Sequence, residues 1–233
     1  MYDKSARWYD AIYSFKDYAA EAVILRGLIE SRRGSPGGAL LDVACGTGEH
    51  LRHLRAYFTV EGIDINESML AVAREKLPGV RLRQGDMLDF DLGERYDAVL
   101  CLFSAVGYLR NEAELERSVR NMGNHLNPDG VLVVEPWILP EAFVAGRVHS
   151  LFVDRPDLKL ARINVSRVEG RAAVMDMHHL IGTEQGIDYF VERHELTLFT
   201  DDEYRGAFIA AGLAVEPVPN GLAGRGLYLG RPV

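Results

Sequence analysis

The stretch 39–50, Ala-Leu-Leu-Asp-Val-Ala-Cys-Gly-Thr-Gly-Glu-His, constrains the fold of this chain more than any other. Its first five residues form a short apolar run that reads as a buried strand. Gly46 and Gly48 then permit a tight turn and close backbone approach. Residues 49–57 follow as a helix. A buried strand joined by such a turn to a helix is the first half of a βαβ unit. The unit recurs. Residues 59–63, 80–83, 98–102 and 131–135 read as strands, and 66–77 and 111–126 as helices, the second opened by Asn111 and Glu114 in capping positions. Before them, 18–33 carries apolar residues at helical spacing and stops at Gly34. Strands alternating with helices predict a mainly parallel sheet in a doubly wound α/β domain.

The pattern changes beyond Trp137. From about residue 147 to residue 200 the chain alternates as strands do, in runs at 158–168, 171–181 and 187–199 separated by glycines. A capping box at Thr200 to Glu203 returns the chain to helix, and 213–218 and 227–229 supply two last strands. The expected division is therefore an α/β domain over 1–139 and 201–233, with an antiparallel β insertion over 140–200.

Composition narrows the function. Lys and Arg total 26 against 34 Asp and Glu, a net charge of −8. That balance argues against a nucleic-acid partner held by a broad basic surface. No run of about 20 apolar residues is present, so no membrane span is expected. The first ten residues hold no apolar stretch of the secretion type, so the chain reads as cytoplasmic. Cys45 and Cys101 lack metal-ligand spacing, and no metal is expected.

Three signals fall at successive strand ends. The glycine turn ends the first strand. Asp64 ends the second, where a carboxylate can take both hydroxyls of a ribose. Gly85-Asp86-Met87 ends the third. The turn is not a dinucleotide fingerprint, because Leu51 stands where the third glycine belongs, and no Gly-Lys-Ser/Thr makes it a phosphate loop. Together the three predict a ligand crevice on one sheet edge.

In that combination the chain resembles the class I S-adenosylmethionine (SAM)-dependent methyltransferases. The resemblance implies a Rossmann-like class I methyltransferase fold, a seven-stranded mainly parallel sheet with the β insertion added. It implies that Ala44, Gly46 and Gly48 meet the methionyl part of SAM, that Asp64 binds its ribose, and that Asp86 and Met87 flank its adenine. S-adenosylhomocysteine is the implied product.

Further segments tighten the likeness: Lys16-Asp17-Tyr18, Gly85-Asp86-Met87-Leu88, Leu102 with Phe103-Ser104-Ala105-Val106-Gly107-Tyr108, Val133-Val134-Glu135-Pro136-Trp137, and Gly224-Arg225-Gly226-Leu227-Tyr228. They resemble the N,N-dimethyltransferases of dTDP-3-amino-deoxysugars, which finish amino sugars in antibiotic biosynthesis. Ile138 departs from that pattern, which usually has a second Trp there. The resemblance implies a nucleotide-sugar acceptor and a homodimer formed through the insertion. It puts Tyr9, Tyr18 and Leu102 at SAM, and Tyr2, Tyr108, Trp137 and His178 at the acceptor. A methyltransferase of another small molecule, acting on oxygen or carbon, is the alternative.

The residues suit an amine. Methyl transfer from a sulfonium is an in-line displacement, and a neutral amine already carries its lone pair, whereas an alcohol needs a placed base. The stretch 102–108 at the end of the fourth strand contains no His and no carboxylate. Tyr2 and Tyr108 are therefore expected to orient the amine without a dedicated general base. A diphosphate needs cations despite the net charge. Arg162, alternating inward with Asn164 and Ser166, and Arg225, between two glycines, are the candidates. His178 and His179 must face opposite sides of their strand. Tyr9, Tyr13 and Tyr18 have the spacing of an amphipathic helix over the cofactor.

Overall fold

Strand β1, Ala39–Val43, lies at the centre of the larger of two sheets, flanked by β4 (Tyr96–Cys101) and β2 (Thr59–Asp64). The structure, a computed structural model, describes residues 2 and 4–233. Beyond β2 lies β3 (Arg81–Gln84). Beyond β4 come β5 (Leu126–Val134), β11 (Leu227–Pro232) and, at the edge, β10 (Leu213–Val218). Strands β1 to β5 are parallel, while β11 runs antiparallel to both β5 and β10. This is the expected seven-stranded, mainly parallel sheet.

Alternate residues of the central strands feed two cores. Leu40, Leu100 and Val133 pack against α2 (Tyr18–Arg33), α3 (Glu49–Leu54) and α4 (Glu67–Lys76). Leu41, Val99 and Val134 pack against α5 (Glu112–Asn124) and α6 (Asp201–Ala210). Burial on both faces explains why these strands read as continuous apolar runs. Each fully buried leucine contributes about 1.5–3 kcal/mol. The helix starts follow local chemistry, since Asn66, Asn111 and Thr200 each cap a helix through a side-chain oxygen.

Strands β6 (Val148–Asp154), β7 (Lys159–Glu169), β8 (Ala172–Thr183) and β9 (Gly186–Thr197) form a second, antiparallel sheet. The sequence suggested three strands here; β6 is the fourth. The inner face of this sheet carries Val153, Leu160 and Ile181, which pack against Ile12 and Tyr13 of the N-terminal segment. Its outer face presents Val148, Phe152, Ile163, Val165, Leu180, Ile187, Tyr189 and Val191 to solvent.

The N-terminal aromatics are not on one helix. A four-residue helix α1 (Tyr9–Ile12) ends at Tyr13, and α2 starts afresh at Tyr18 because the Asp17 side chain accepts the Ala20 N–H at 2.9 Å. Two of the predicted helices also end short, at Leu54 and Asn124.

Candidate active site

Two neighbouring strand ends carry an uncommon backbone. Ala44, just after β1, has φ 60°, and Phe103 and Ser104, just after β4, have φ 52° and 63°. Non-glycine residues in the left-handed region cost about 1–3 kcal/mol each and persist where function requires the geometry. Gly46 and Gly48 complete the first turn at φ 55° and 76°. A Cβ on Gly48 would stand 2.6 Å from Leu77 Cδ1, just beyond α4, so any other residue here would have to push that side chain aside.

Between these ends lies a narrow cleft lined by Tyr9, Tyr18, Asp42, Ala44, Gly46 and Leu102. Asp42 Oδ1 is buried without a partner among the described residues. Burial, with the nearby Asp64 charge adding to it, pushes the Asp42 carboxyl up to about 8. Asp64 closes the turn, accepting the N–H of Gly46 and that of Asn66, both at 2.8 Å. Burial raises its carboxyl, and those two N–H bonds oppose the rise. Beneath the cleft, Glu21 lies 2.8 Å from His50 Nε2 and 2.8 Å from Lys16 Nζ. Burial raises the Glu21 carboxyl, but His50 and Lys16 hold it below the usual value. Burial also raises Tyr9 and Tyr18, so both phenols stay protonated donors.

These groups fit the methionyl end of SAM. An unpaired buried carboxyl suits its ammonium, two phenol donors suit its carboxylate, and Gly46 lets the backbone come close. Asp86 and Met87 stand apart from the cleft. The Asp86 carboxylate accepts the Leu88 N–H at 2.9 Å within its own turn, and Met87 is half-buried against the core.

Phe103 lines this cleft and also a second cavity of about 300 Å³. The second cavity lies between the edge of the first sheet and the inner face of the second. Tyr2, Tyr108, Trp137, Arg162 and Arg225 all line it. The Tyr2 and Tyr108 hydroxyls lie 3.0 Å apart, and Tyr108 Oη lies 2.8 Å from His194 Nδ1. Arg162 donates to Tyr13 Oη at 2.9 Å, and Arg225 donates to Ser104 Oγ at 2.7 Å while lying over the Trp137 ring at 5.2 Å. Glu135 accepts the Phe103 N–H at 2.6 Å, which helps hold the left-handed turn. Burial raises its carboxyl, and the Arg225 charge opposes the rise. Asn164 Nδ2 and Trp137 Nε1 are buried and unpartnered among the described residues.

His178 is the exception among the expected acceptor residues. Met175 and Met177 point into the cavity, so the odd-numbered residues of β8 face inward. His178 therefore lies on the outer face, its Nδ1 2.6 Å from Tyr189 Oη. His179 is the inward member, buried and stacked on Phe190. Sequence reasoning also passed over Asp42, Lys16, Glu135 and His194. Asp42 stood inside the glycine motif and was legible as its buried carboxyl. His194 could have been found only from the alternation of β9, which turns Glu192, His194 and Leu196 to one side.

No group of three or more His, Cys, Asp or Glu that could hold a metal ion occurs among the described residues. No helix among them is long and apolar enough to cross a membrane.

Comparison with known proteins converges on one chemistry. Residues 40–130 match a family profile described as a methyltransferase domain. The chain is 47% identical to dTDP-3-amino-3,6-dideoxy-alpha-D-glucopyranose N,N-dimethyltransferase of Streptomyces fradiae, over 97% of this chain and 90% of that one. It is 45% identical to the corresponding 3,4,6-trideoxy enzyme of Streptomyces venezuelae, over 96% of each. Among solved structures, Streptomyces venezuelae DesVI superposes with a TM-score of 0.90 at 43% identity, covering 95% of this chain and 97% of that one. SAM-bound CalS10, an amino pentose methyltransferase from Micromonospora echinaspora, gives 0.88 at 42% identity, covering 97% and 96%. Likeness at this level over nearly the whole chain, joined to the glycine turn and its two strand-end cavities, means that the chain belongs to the class I SAM-dependent methyltransferases, in the branch that contains the amino-deoxysugar N-methyltransferases.

Proposed function

We propose that this protein methylates the amine of a dTDP-linked amino-deoxysugar at the expense of SAM, in the biosynthesis of an antibiotic. The observation that carries this reading is the pairing of cavities at Phe103: a narrow cleft with an unpaired carboxyl, beside a larger one holding phenols and arginines. SAM supplies a methyl group on a positively charged sulfur. Asp42, Tyr9 and Tyr18 hold its amino-acid end, Asp64 its ribose, and Asp86 and Met87 its adenine. On the other side Tyr2 and Tyr108 orient the amine. Arg225 and Arg162 meet the diphosphate, whose oxygens suit a planar guanidinium. Alignment is the protein's main contribution, worth on the order of 7–11 kcal/mol at the extreme. No dedicated base is needed once the amine is neutral, so the rate should rise with pH through the amine's own ionisation.

Mass spectrometry of products from a panel of dTDP-linked amino sugars, with hydroxyl-only analogues as controls, tests the reading. Mass gains of one or two methyl groups on the amino sugars alone are expected. Methylation of the hydroxyl analogues instead would overturn it.

The same reading makes the protein a cytoplasmic homodimer. The outer face of the second sheet supports this, with Phe152 69% and Ile187 78% exposed among eight large apolar or aromatic side chains. Such a patch is ordinarily covered by a partner. Light scattering at micromolar concentration should give twice the 26.0 kDa chain mass. A monomer mass would refute the dimer.

A further inference from the structure

The phenols of Tyr2 and Tyr108 end in a third group. Tyr2 Oη lies 3.0 Å from Tyr108 Oη, which lies 2.8 Å from His194 Nδ1. The direction of this chain decides what the two phenols can offer the cavity. A phenol O–H is a far stronger acid than a neutral imidazole N–H, and an imidazole nitrogen is a far stronger base than a phenol oxygen. These strengths favour O–H···N for the 2.8 Å contact, with Tyr108 donating. Its oxygen then accepts from Tyr2. Both hydroxyl protons are spent inside the chain.

We propose that His194 is a positioning residue that commits the hydroxyl protons of Tyr108 and Tyr2 to one direction, so that both phenols meet the acceptor with lone pairs only. The proposal rests on the amine-methylating reading above and extends it. Oxygens without a free proton can take an N–H of the acceptor amine. They cannot donate into its lone pair, which must stay free to attack the methyl group. Reversed, the chain would point a phenol proton at that lone pair and compete with the reaction.

The surroundings keep His194 in this role. The side chain is 1% exposed on the inner face of β9, and burial pushes its pKa down to about 4, so it stays a neutral acceptor in ordinary buffers. Tyr2 packs on it with ring centroids 4.7 Å apart, and Tyr2 itself holds φ 59°, a left-handed backbone that places its ring here. Nε2 is buried without a partner among the described residues. With Nδ1 accepting, Nε2 carries the ring proton, a defect of the kind that native structures keep where a site requires it.

The first test needs no acceptor. Nitrogen-15 NMR of the histidine-labelled full-length enzyme should show His194 with an unprotonated, hydrogen-bonded Nδ1 and a protonated Nε2. The opposite tautomer would overturn the proposal. The second test is kinetic, on a dTDP-linked amino sugar. His194→Phe should lower kcat about tenfold, the worth of one hydrogen bond, and leave the KM for SAM within a factor of two. His194→Gln, whose amide oxygen can accept the same proton, should recover most of that loss. Tyr108→Phe combined with His194→Phe should be no slower than the slower single variant, because both break one chain. Losses that multiply in the double variant, or a His194→Gln as slow as His194→Phe, would make His194 a packing residue only. If no amino sugar is methylated at all, the functional reading fails, while the NMR result still decides the direction of the chain.

Discussion

The two sheets are built from similar amounts of apolar side chain and use it in opposite ways. The seven-stranded sheet is buried on both faces, and its chemistry is confined to the strand ends, where Ala44, Phe103 and Ser104 hold left-handed backbone. The four-stranded sheet carries its chemistry on a face, where Arg162 and Asn164 line the cavity from β7 and His194 faces the same side from β9, across β8. A strand-end site depends on backbone conformation and tolerates little change. A face site depends on which residues alternate inward, so it can change its side chains while the backbone stays fixed. The first arrangement suits a cofactor that never varies, and the second an acceptor that does.

The largest effect that would sharpen this contrast is at Asp42. Its folded-state pKa of about 8 lies above the ordinary value of 3.8, so the folded state binds the extra proton between those limits. The Asp42 contribution to the stability of the ligand-free enzyme should fall as pH rises from about 4 to about 8 and level off above that. Asp42→Asn has no such proton to lose. Denaturant melts should find the variant equal to wild type near pH 4 and more stable by several kcal/mol at pH 8, since each tenfold difference in proton affinity between the two states is worth at most about 1.36 kcal/mol. Burial lowers the pKa of His50, His179 and His194, and their contribution runs the other way, gaining stability as pH rises toward 6.5. It is common to both proteins and cancels in the difference. An equal pH dependence would show that Asp42 is ionised in the fold. The variant should also bind SAM more weakly.

Next comes the glycine turn against a hairpin turn. Gly48→Val puts a β-branched residue at φ +76° and drives its Cβ into Leu77, itself 1% exposed. It should cost roughly 3 kcal/mol or more in thermal or chemical melts. Gly170, in the turn between β7 and β8, has φ +61° but nothing within 4 Å, so Gly170→Ala should cost only about 1 kcal/mol. Equal losses would remove the distinction between the two sheets.

Asp64→Ala comes third. It removes the acceptor of two backbone N–H bonds as well as the proposed ribose contact, so it should weaken SAM binding by roughly 1.5–3 kcal/mol for each lost bond to the carboxylate. Because Gly46 is released too, the melting temperature should also drop by a few degrees. Calorimetry that gave an affinity within twofold of wild type would place the ribose elsewhere.

The same contrast explains what was legible in the sequence. Residues 39–50 declared a strand, a turn and a helix at once, because steric limits leave few residues able to make that turn. From it the sheet, its order of elements and most of the first cavity followed. The second sheet was legible as alternation, but alternation gives two faces without saying which is inner. His178 and His179 show the consequence: a step of one residue reverses every side chain, and only packing against Ile12 and Tyr13 settles the choice. The chain Tyr2–Tyr108–His194 joins residues 86 or more positions apart in sequence, so no local pattern could announce it. The break between α1 and α2 was present in Asp17, a helix cap that the aromatic spacing obscured.

The smallest effects concern the two arginines, which face one cavity from different sheets. Arg225 lies over the Trp137 ring and donates to Ser104, whose own hydroxyl donates to the Pro136 carbonyl at 2.7 Å. Removing it leaves Ser104 with that carbonyl and leaves the backbone turn intact. Arg225→Ala should therefore raise the acceptor KM about tenfold while kcat falls less than threefold, the pattern of lost uniform binding. Arg162 differs because it also holds Tyr13, whose ring packs 4.6 Å from that of Tyr9 in the narrow cleft. Arg162→Ala should raise the acceptor KM by a similar factor and the SAM KM as well, since the N-terminal segment loses an anchor on the second sheet. Arg162→Lys keeps the charge but not the planar fork, so it should restore the SAM KM less well than the acceptor KM. If both alanine variants left the SAM KM unchanged, the second sheet would serve the acceptor alone, and the N-terminal segment would be held by Glu192, which accepts from Ser5 Oγ at 2.6 Å, without help from Arg162.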